Sequence, residues 1–149
     1  MRAVLTRVKY ASVTIDGETV GKIGPGFLIL LGVGPEDTEE HARVLAEKAL
    51  GLRIFEVENG KMNLGLDAVK GQVLVVSQFT LYGSCRKGRR PSFTGAAAPE
   101  QANALYEQFL QLCTQLGFPP QHGQFGAEME VASVNDGPVT LILDTDELM

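Results

Sequence analysis

Two short, unbroken apolar runs constrain this chain more than anything else in it. Phe27–Val33 (FLILLGV) lies between Gly26 and Gly34, and Val73–Val76 (VLVV) runs straight into Ser77-Gln78-Phe79-Thr80. Each is too short for most helices and lacks polar alternation, which suits a strand covered on both faces. Both are expected to be buried strands, the first of them central. Before them, Ser12–Ile15 alternates polar and apolar residues, Asp16-Gly17 is a hairpin signal, and Val20 and Ile23 resume the apolar face beyond it. After Pro35, Asp37 and Glu40 resemble a capping box, opening a helix with Ala42, Leu45, Ala46 and Ala49 at helical spacing and a stop at Gly51. A second helix is expected to begin near Pro99. It lines up Ala102, Leu105, Tyr106, Phe109, Cys113 and Leu116 before Gly117, Pro119 and Pro120 end it. The tail reads as two strands, about 128–134 and 139–143, joined across Asn135-Asp136-Gly137-Pro138, a sequence that a simple hairpin turn explains.

This order is not the strict alternation of strand and helix that builds a doubly wound sheet, so the expected class is α+β with mainly antiparallel sheets and two helices on one side. Two helices cannot cover two sheet faces of this size. The sheets must pack on each other, or a subunit interface must cover the remainder, or both. The 149 residues fit one domain, 1–149.

Charge narrows the partners. All 13 Lys and Arg residues lie at or before Arg90, while residues 91–149 hold 8 of the 18 acidic ones. A net charge of -5 argues against a protein that coats nucleic acid through many phosphate contacts and leaves room for a local basic patch. No apolar run is long enough to cross a bilayer, and the opening MRAVLTRVKY does not resemble a signal region, so a cytoplasmic location is expected. Cys85 and Cys113 lack metal-site spacing, and neither a metal nor another cofactor is expected.

Few residues suit familiar catalytic sets. The only histidines are His41, in the first helix, and His122, in a Pro- and Gly-rich loop, and a plain loop histidine is the simpler reading of the latter. No glycine-rich phosphate loop is present. Cys85 lies beside cations that would activate a thiol, although an ordinary loop thiol next to a surface basic cluster is the simpler reading. The run Arg86-Lys87-Gly88-Arg89-Arg90 is either a solvated loop or a clamp for one or a few phosphates. Ser77-Gln78-Phe79-Thr80 places hydroxyl, amide and backbone N–H groups at the end of a core strand, where they either converge on a ligand or merely finish the strand.

Ser77-Gln78-Phe79-Thr80-Leu81 and Asn135-Asp136-Gly137-Pro138-Val139-Thr140 together resemble the two signature motifs of the D-aminoacyl-tRNA deacylases. Arg7-Val8, Ala11-Ser12-Val13, Gly51-Leu52-Arg53-Ile54-Phe55, Gly60-Lys61-Met62-Asn63-Leu64 and Arg89-Arg90-Pro91-Ser92-Phe93 extend the resemblance over essentially the whole chain. It implies a homodimer of α+β subunits, two packed, barrel-like sheets with a helical third layer, that hydrolyses the ester joining a D-amino acid to the terminal adenosine at the 3′ end of tRNA. Glycyl-tRNA is a further implied substrate, because a filter that works by clashing with a side chain has nothing to reject in glycine.

By the same resemblance, Ser77, Gln78, Phe79 and Thr80 face the reacting ester. Gly137 and Pro138, joined by a cis peptide, reach into the partner's site and reject L substrates. Arg7 holds that loop, and Phe125 and Met129 line the adenosine pocket. Arg86, Lys87, Arg89 and Arg90 then supply the phosphate strip. Neither a membrane nor DNA is expected as a partner. The competing reading is a non-enzymatic nucleic-acid-binding dimer of the same fold.

Overall fold

The computed structural model describes residues 1–149. Strand β1 (Arg2–Ile15) turns at Asp16-Gly17 into β2 (Glu18–Ile23), followed by β3 (Gly26–Gly32) and helix α1 (Glu39–Gly51). A small pair, β4 (Phe55–Glu56) and β5 (Met62–Leu64), precedes the short helix α2 (Leu66–Val69). Then come β6 (Gln72–Ser77), a 3-10 turn over Phe79–Tyr82, helix α3 (Pro99–Gln115), β7 (Gln121–His122), β8 (Glu130–Asp144) and the terminal turn of helix α4 (Thr145–Leu148).

Six strands form one sheet in the order β2-β1-β3-β6-β7, with β8 on the other side of β1. The sheet coils until β2 stands beside β7: a Cβ at Gly21 would lie 3.0 Å from the His122 carbonyl oxygen. The barrel is therefore nearly closed, and β4–β5 is a separate two-stranded sheet. Pairing is antiparallel except at β3–β6 and β6–β7. The α+β architecture expected from the sequence, barrel-like with a helical layer, is the one the chain adopts.

The two apolar runs explain why. In β3, Phe27, Ile29 and Leu31 point to a large core beneath α1 and α3, while Leu28 points into a smaller core inside the barrel. In β6, Val73 and Val75 serve the large core, and Leu74 and Val76 the small one. Both strands are buried on both faces, which accounts for their lack of alternation. Fully buried Phe27 and Phe109 each contribute roughly 1.5–3 kcal/mol. No helix is long and apolar enough to cross a membrane.

Several details depart from the sequence pattern. Helix α1 is capped one residue later than expected, with Thr38 and His41 forming the reciprocal pair. Asp37 instead accepts from the Gly34 N–H at 2.6 Å and pairs with the Met1 ammonium at 2.8 Å. Val20 is exposed, because the period-two register of β2 turns Gly21 and Ile23 inward. Leu116 lies just past the end of α3 and is also exposed. Asn135–Pro138 is not a chain reversal, since residues on both sides of it pair antiparallel with β1 in a single strand.

Candidate active site

The end of β6 is built by its neighbours. Tyr106 of α3, buried beneath the sheet, donates its hydroxyl to the Val75 carbonyl at 3.0 Å and packs against the Phe125 ring at 6.0 Å. Burial pushes its phenol well above the usual range, so it remains a donor. Gln78 N–H donates to the Leu31 carbonyl at 2.7 Å, after which the backbone leaves the sheet for the 3-10 turn. Within that turn Leu81 N–H donates to Gln78 and Gly83 N–H to Thr80. The opening N–H groups of Phe79 and Thr80 have no such acceptor within the turn. The Gln78 side-chain amide donates to Thr80 Oγ1 at 2.5 Å.

Phe79 is 54% exposed. It lines a cavity of about 240 Å³ whose other walls include Ser77, Gln78, Ala127 and Met129. It also lines an adjoining, more apolar cleft of about 370 Å³ that Phe125 and Phe93 help to form and that shares Ser77 and Gly126 with the first. The structure thus gathers Ser77, Gln78, Phe79, Phe125 and Met129 in one region, with Thr80 bonded to Gln78 at its edge.

Gly137 and Pro138 lie elsewhere, and their peptide bond is cis. Thr6 pairs with Thr140 and Val8 with Asn135, so Asp136–Val139 bulge out opposite Arg7 alone. Arg7, 4% exposed, fixes the bulge. Its Nε donates to the Asp136 carbonyl at 3.2 Å and lies 3.4 Å from the Asp136 carboxylate, while Nη1 donates to the Ile54 carbonyl at 2.6 Å. Arg7 stands in register with Phe27, and Phe27 with Val73, four residues before Ser77. With β1 and β3 between β8 and β6, the bulge is offset from Ser77 by about 14 Å across the sheet and about 13 Å along it. No hydrogen bond or ion pair joins the two places.

The basic residues form a pinched loop. Ser84 and Ser92 exchange backbone bonds of 2.7 and 2.9 Å, leaving Arg86, Lys87, Arg89 and Arg90 exposed at the tip, none in an ion pair. Cys85 in the same loop is exposed and engages no side chain. His122 lies on β7 with Nδ1 2.7 Å from the Gly123 oxygen, and no hydrogen bond ties it to a nucleophile. No group of three His, Cys, Asp or Glu side chains is placed to hold a metal. Sequence reasoning missed two parts of this region, the Ile54 carbonyl that anchors Arg7 and the Phe93 ring beside Phe79. Both residues stand in stretches that carry the family resemblance, but neither a main-chain oxygen nor a loop phenylalanine reveals its role from sequence alone.

Known proteins resemble this chain in both sequence and fold. The sequence profile of the family described as D-Tyr-tRNA(Tyr) deacylase matches residues 4–144. The chain is 60% identical over 145 residues to the D-aminoacyl-tRNA deacylase of Desulfatibacillum aliphaticivorans, spanning 97% of this chain and 99% of that protein. Among solved structures it is similar to the c-Myc DNA Unwinding Element Binding Protein, with a TM-score of 0.91, 41% identity, and 97% and 98% of the two chains covered. A probable eukaryotic D-amino acid tRNA deacylase, 18% identical, shares the fold with a TM-score of 0.84 over 95% and 97% of the two chains. By its motifs, its fold and a match that runs nearly end to end, the chain belongs to the D-Tyr-tRNA(Tyr) deacylase family and is a hydrolase.

Proposed function

We propose that the whole chain acts as one domain that hydrolyses D-aminoacyl-tRNA in the cytoplasm, with the ester held at the end of β6. The observation that carries this reading is the pair of N–H groups at Phe79 and Thr80 left without an acceptor in the turn, beside adjoining cavities lined by Met129 and by Phe125 that suit the terminal adenosine. Ester hydrolysis needs an oriented water and a stabilised oxyanion. The two amides supply the second. Water oxygen bonds to the carbonyl carbon, the bond to the ribose oxygen breaks, and the water proton passes to that oxygen, assisted by the neighbouring 2′-hydroxyl. Thr80, bonded to Gln78 rather than to a base, positions the substrate and does not attack it.

The distance between Ser77 and the Gly137-Pro138 bulge supports a homodimer in which the filter comes from a second subunit. Strand β8 pairs only with β1 and exposes Val131, Val134 and Ile142, an open apolar edge of the kind proteins cover. Main-chain carbonyls of Gly137 and Pro138 hold the substrate amino group and occupy the space an L side chain needs. D side chains point to solvent, and glycine passes the filter. The Arg86–Arg90 loop takes backbone phosphates of the acceptor end.

The rival reading is a dimer that binds nucleic acid without hydrolysing it, and the name of the 41% identical structure favours it. Matched D- and L-tyrosyl-tRNA, incubated with the protein and a chelator, separate the two. Release of D-tyrosine alone is expected; binding without release overturns the enzyme reading.

A further inference from the structure

The turn that carries the Phe79 and Thr80 amides is held at its far end by a residue from another strand. Arg2, at the start of β1, donates from Nη1 to the Leu81 carbonyl at 3.1 Å, and its guanidinium lies over the Tyr82 ring, 4.5 Å from the centroid. Leu81 and Tyr82 both belong to the turn. Carbonyls at the end of such a turn find no partner within it, and a planar cation that also stacks on an aromatic face suits the place. Arg2 is itself fixed. Its Nε donates to Asp144 Oδ2 at 3.0 Å, and the other oxygen of that carboxylate accepts the Asp146 N–H at 2.9 Å, capping α4. Arg2 and Asp144 are also backbone partners in the β1–β8 ladder. The turn rests directly on the chain at and just after β3. A Cβ at Gly32 would stand 3.0 Å from Leu81 Cβ and 3.1 Å from the Gln78 carbonyl oxygen, and one at Gly34 would stand 3.0 Å from the Tyr82 ring.

We propose that Arg2 is a positioning residue for the hydrolysis: by tying Leu81 and Tyr82 to β1 and β8, it sets where the Phe79 and Thr80 amides point and how well they meet the oxyanion. The inference rests on the deacylase reading and on its assignment of the oxyanion to those amides. A turn this short has few internal bonds, so its orientation depends on what holds its two ends. Gln78 N–H secures the entry on the Leu31 carbonyl, and Arg2 secures the exit. Without the second tie the turn pivots about Gln78, and amides displaced from the developing charge stabilise it less. Neither Arg2 nor Asp144 lines a cavity beside Phe79, so loss of the tie spares substrate binding and falls on the chemical step.

The test compares the wild-type protein with Arg2→Gln, which keeps the apolar stem and removes the guanidinium, on D-tyrosyl-tRNA. Per folded molecule, kcat is expected to fall about tenfold with KM within about twofold of wild type, a smaller loss than the roughly hundredfold or more of an oxyanion donor removed outright. In the free variant the Phe79 and Thr80 amide resonances should shift, while those of β2 should not. A loss carried by KM overturns the positioning role. So does an unchanged kcat in a variant that merely unfolds at lower urea. With the amides unmoved, that result removes the tie alone; with the amides shifted, it removes their assignment to the oxyanion. If Arg2→Gln does not fold, Asp144→Asn decides, since asparagine keeps the cap on α4 and removes the charge that orients Arg2. Its kcat is expected to be about threefold lower, in line with a partly exposed ion pair, and an unchanged kcat overturns the proposal. A wild-type protein that leaves D-tyrosyl-tRNA intact refutes the deacylase reading and the role of Arg2 with it.

Discussion

Arg7 and Gly137 are packed so closely that a Cβ on the glycine would stand 2.8 Å from Arg7 Nη2, with Val139 Cγ2 at 3.0 Å on another side. Gly137 also has φ +118°, which L side chains rarely adopt. Gly137→Ala therefore meets both a backbone and a steric obstacle. The substitution is expected to cost about 1–3 kcal/mol in urea unfolding. By shifting the bulge it should also lower D-tyrosyl-tRNA turnover at least several-fold. A stably folded variant with full D turnover and intact L rejection would show that the bulge does not set stereochemistry.

Arg7→Lys tests the other side of the contact. The guanidinium serves the Asp136 and Ile54 carbonyls at once, and a lysine ammonium lacks the planar fork to reach both. Losing one buried charged bond costs about 1–3 kcal/mol. The protein should fold but hold the bulge loosely, so the ratio of D to L turnover should narrow. An unchanged ratio would separate Arg7 from the filter.

What was legible in the sequence was what obeys local rules. The buried runs of β3 and β6, the Asp16-Gly17 hairpin and the stripe from Ala102 to Cys113 follow from periodicity and turn chemistry. The bulge at Asp136–Val139 was not, because a Gly-Pro pair after Asn-Asp reads equally as a turn. Only the continued pairing of Thr140 and Val134 with β1 decides it, and that pairing is non-local. The capping residue of α1 moved to Thr38 because Asp37 is taken by Gly34 and the Met1 ammonium. The cleft at Phe93 was illegible for the same reason: it depends on the Ser84–Ser92 pinch, which has no periodic signature.

Thr80→Val removes the hydroxyl while keeping the shape. If Thr80 only positions, the variant loses one hydrogen bond with Gln78, worth about 0.5–1.5 kcal/mol, and turnover should fall by no more than about tenfold. Intact-protein mass spectrometry of the wild type during turnover should show no acyl adduct. An adduct on Thr80, or complete loss of activity in Thr80→Val, would make it the nucleophile.

The two thiols should separate cleanly. Burial raises the Cys113 thiol to about 12, while Cys85 is exposed. At about pH 8 a disulfide reagent is expected to titrate one thiol in the native protein and two after unfolding. The linkage follows from the raised value. The contribution of Cys113 to stability is fully present below the unfolded thiol's value of about 8.5 and is lost as pH rises toward the folded value. Cys113→Ala should therefore show a shallower loss of stability over that alkaline window. Equal slopes for the two proteins would mean that the thiol is not shielded.

The basic loop should act on binding rather than chemistry, because its four cations are exposed at a pinched tip and none is neutralised by a carboxylate. Each phosphate contact made by a single strand releases counterions, so log kcat/KM should fall with log salt by about 0.7 per contact. Replacing Arg89 or Arg90 by glutamine is expected to reduce that slope by about 0.7 and to raise KM while leaving kcat close to the wild-type value. Combined replacement of Arg86, Lys87, Arg89 and Arg90 should nearly flatten the salt dependence, since residues 91–149 contain no lysine or arginine to take over. A slope that survives the combined replacement would place the phosphate strip on the remaining cations of residues 1–90, and the pinched loop would then be only a solvated turn.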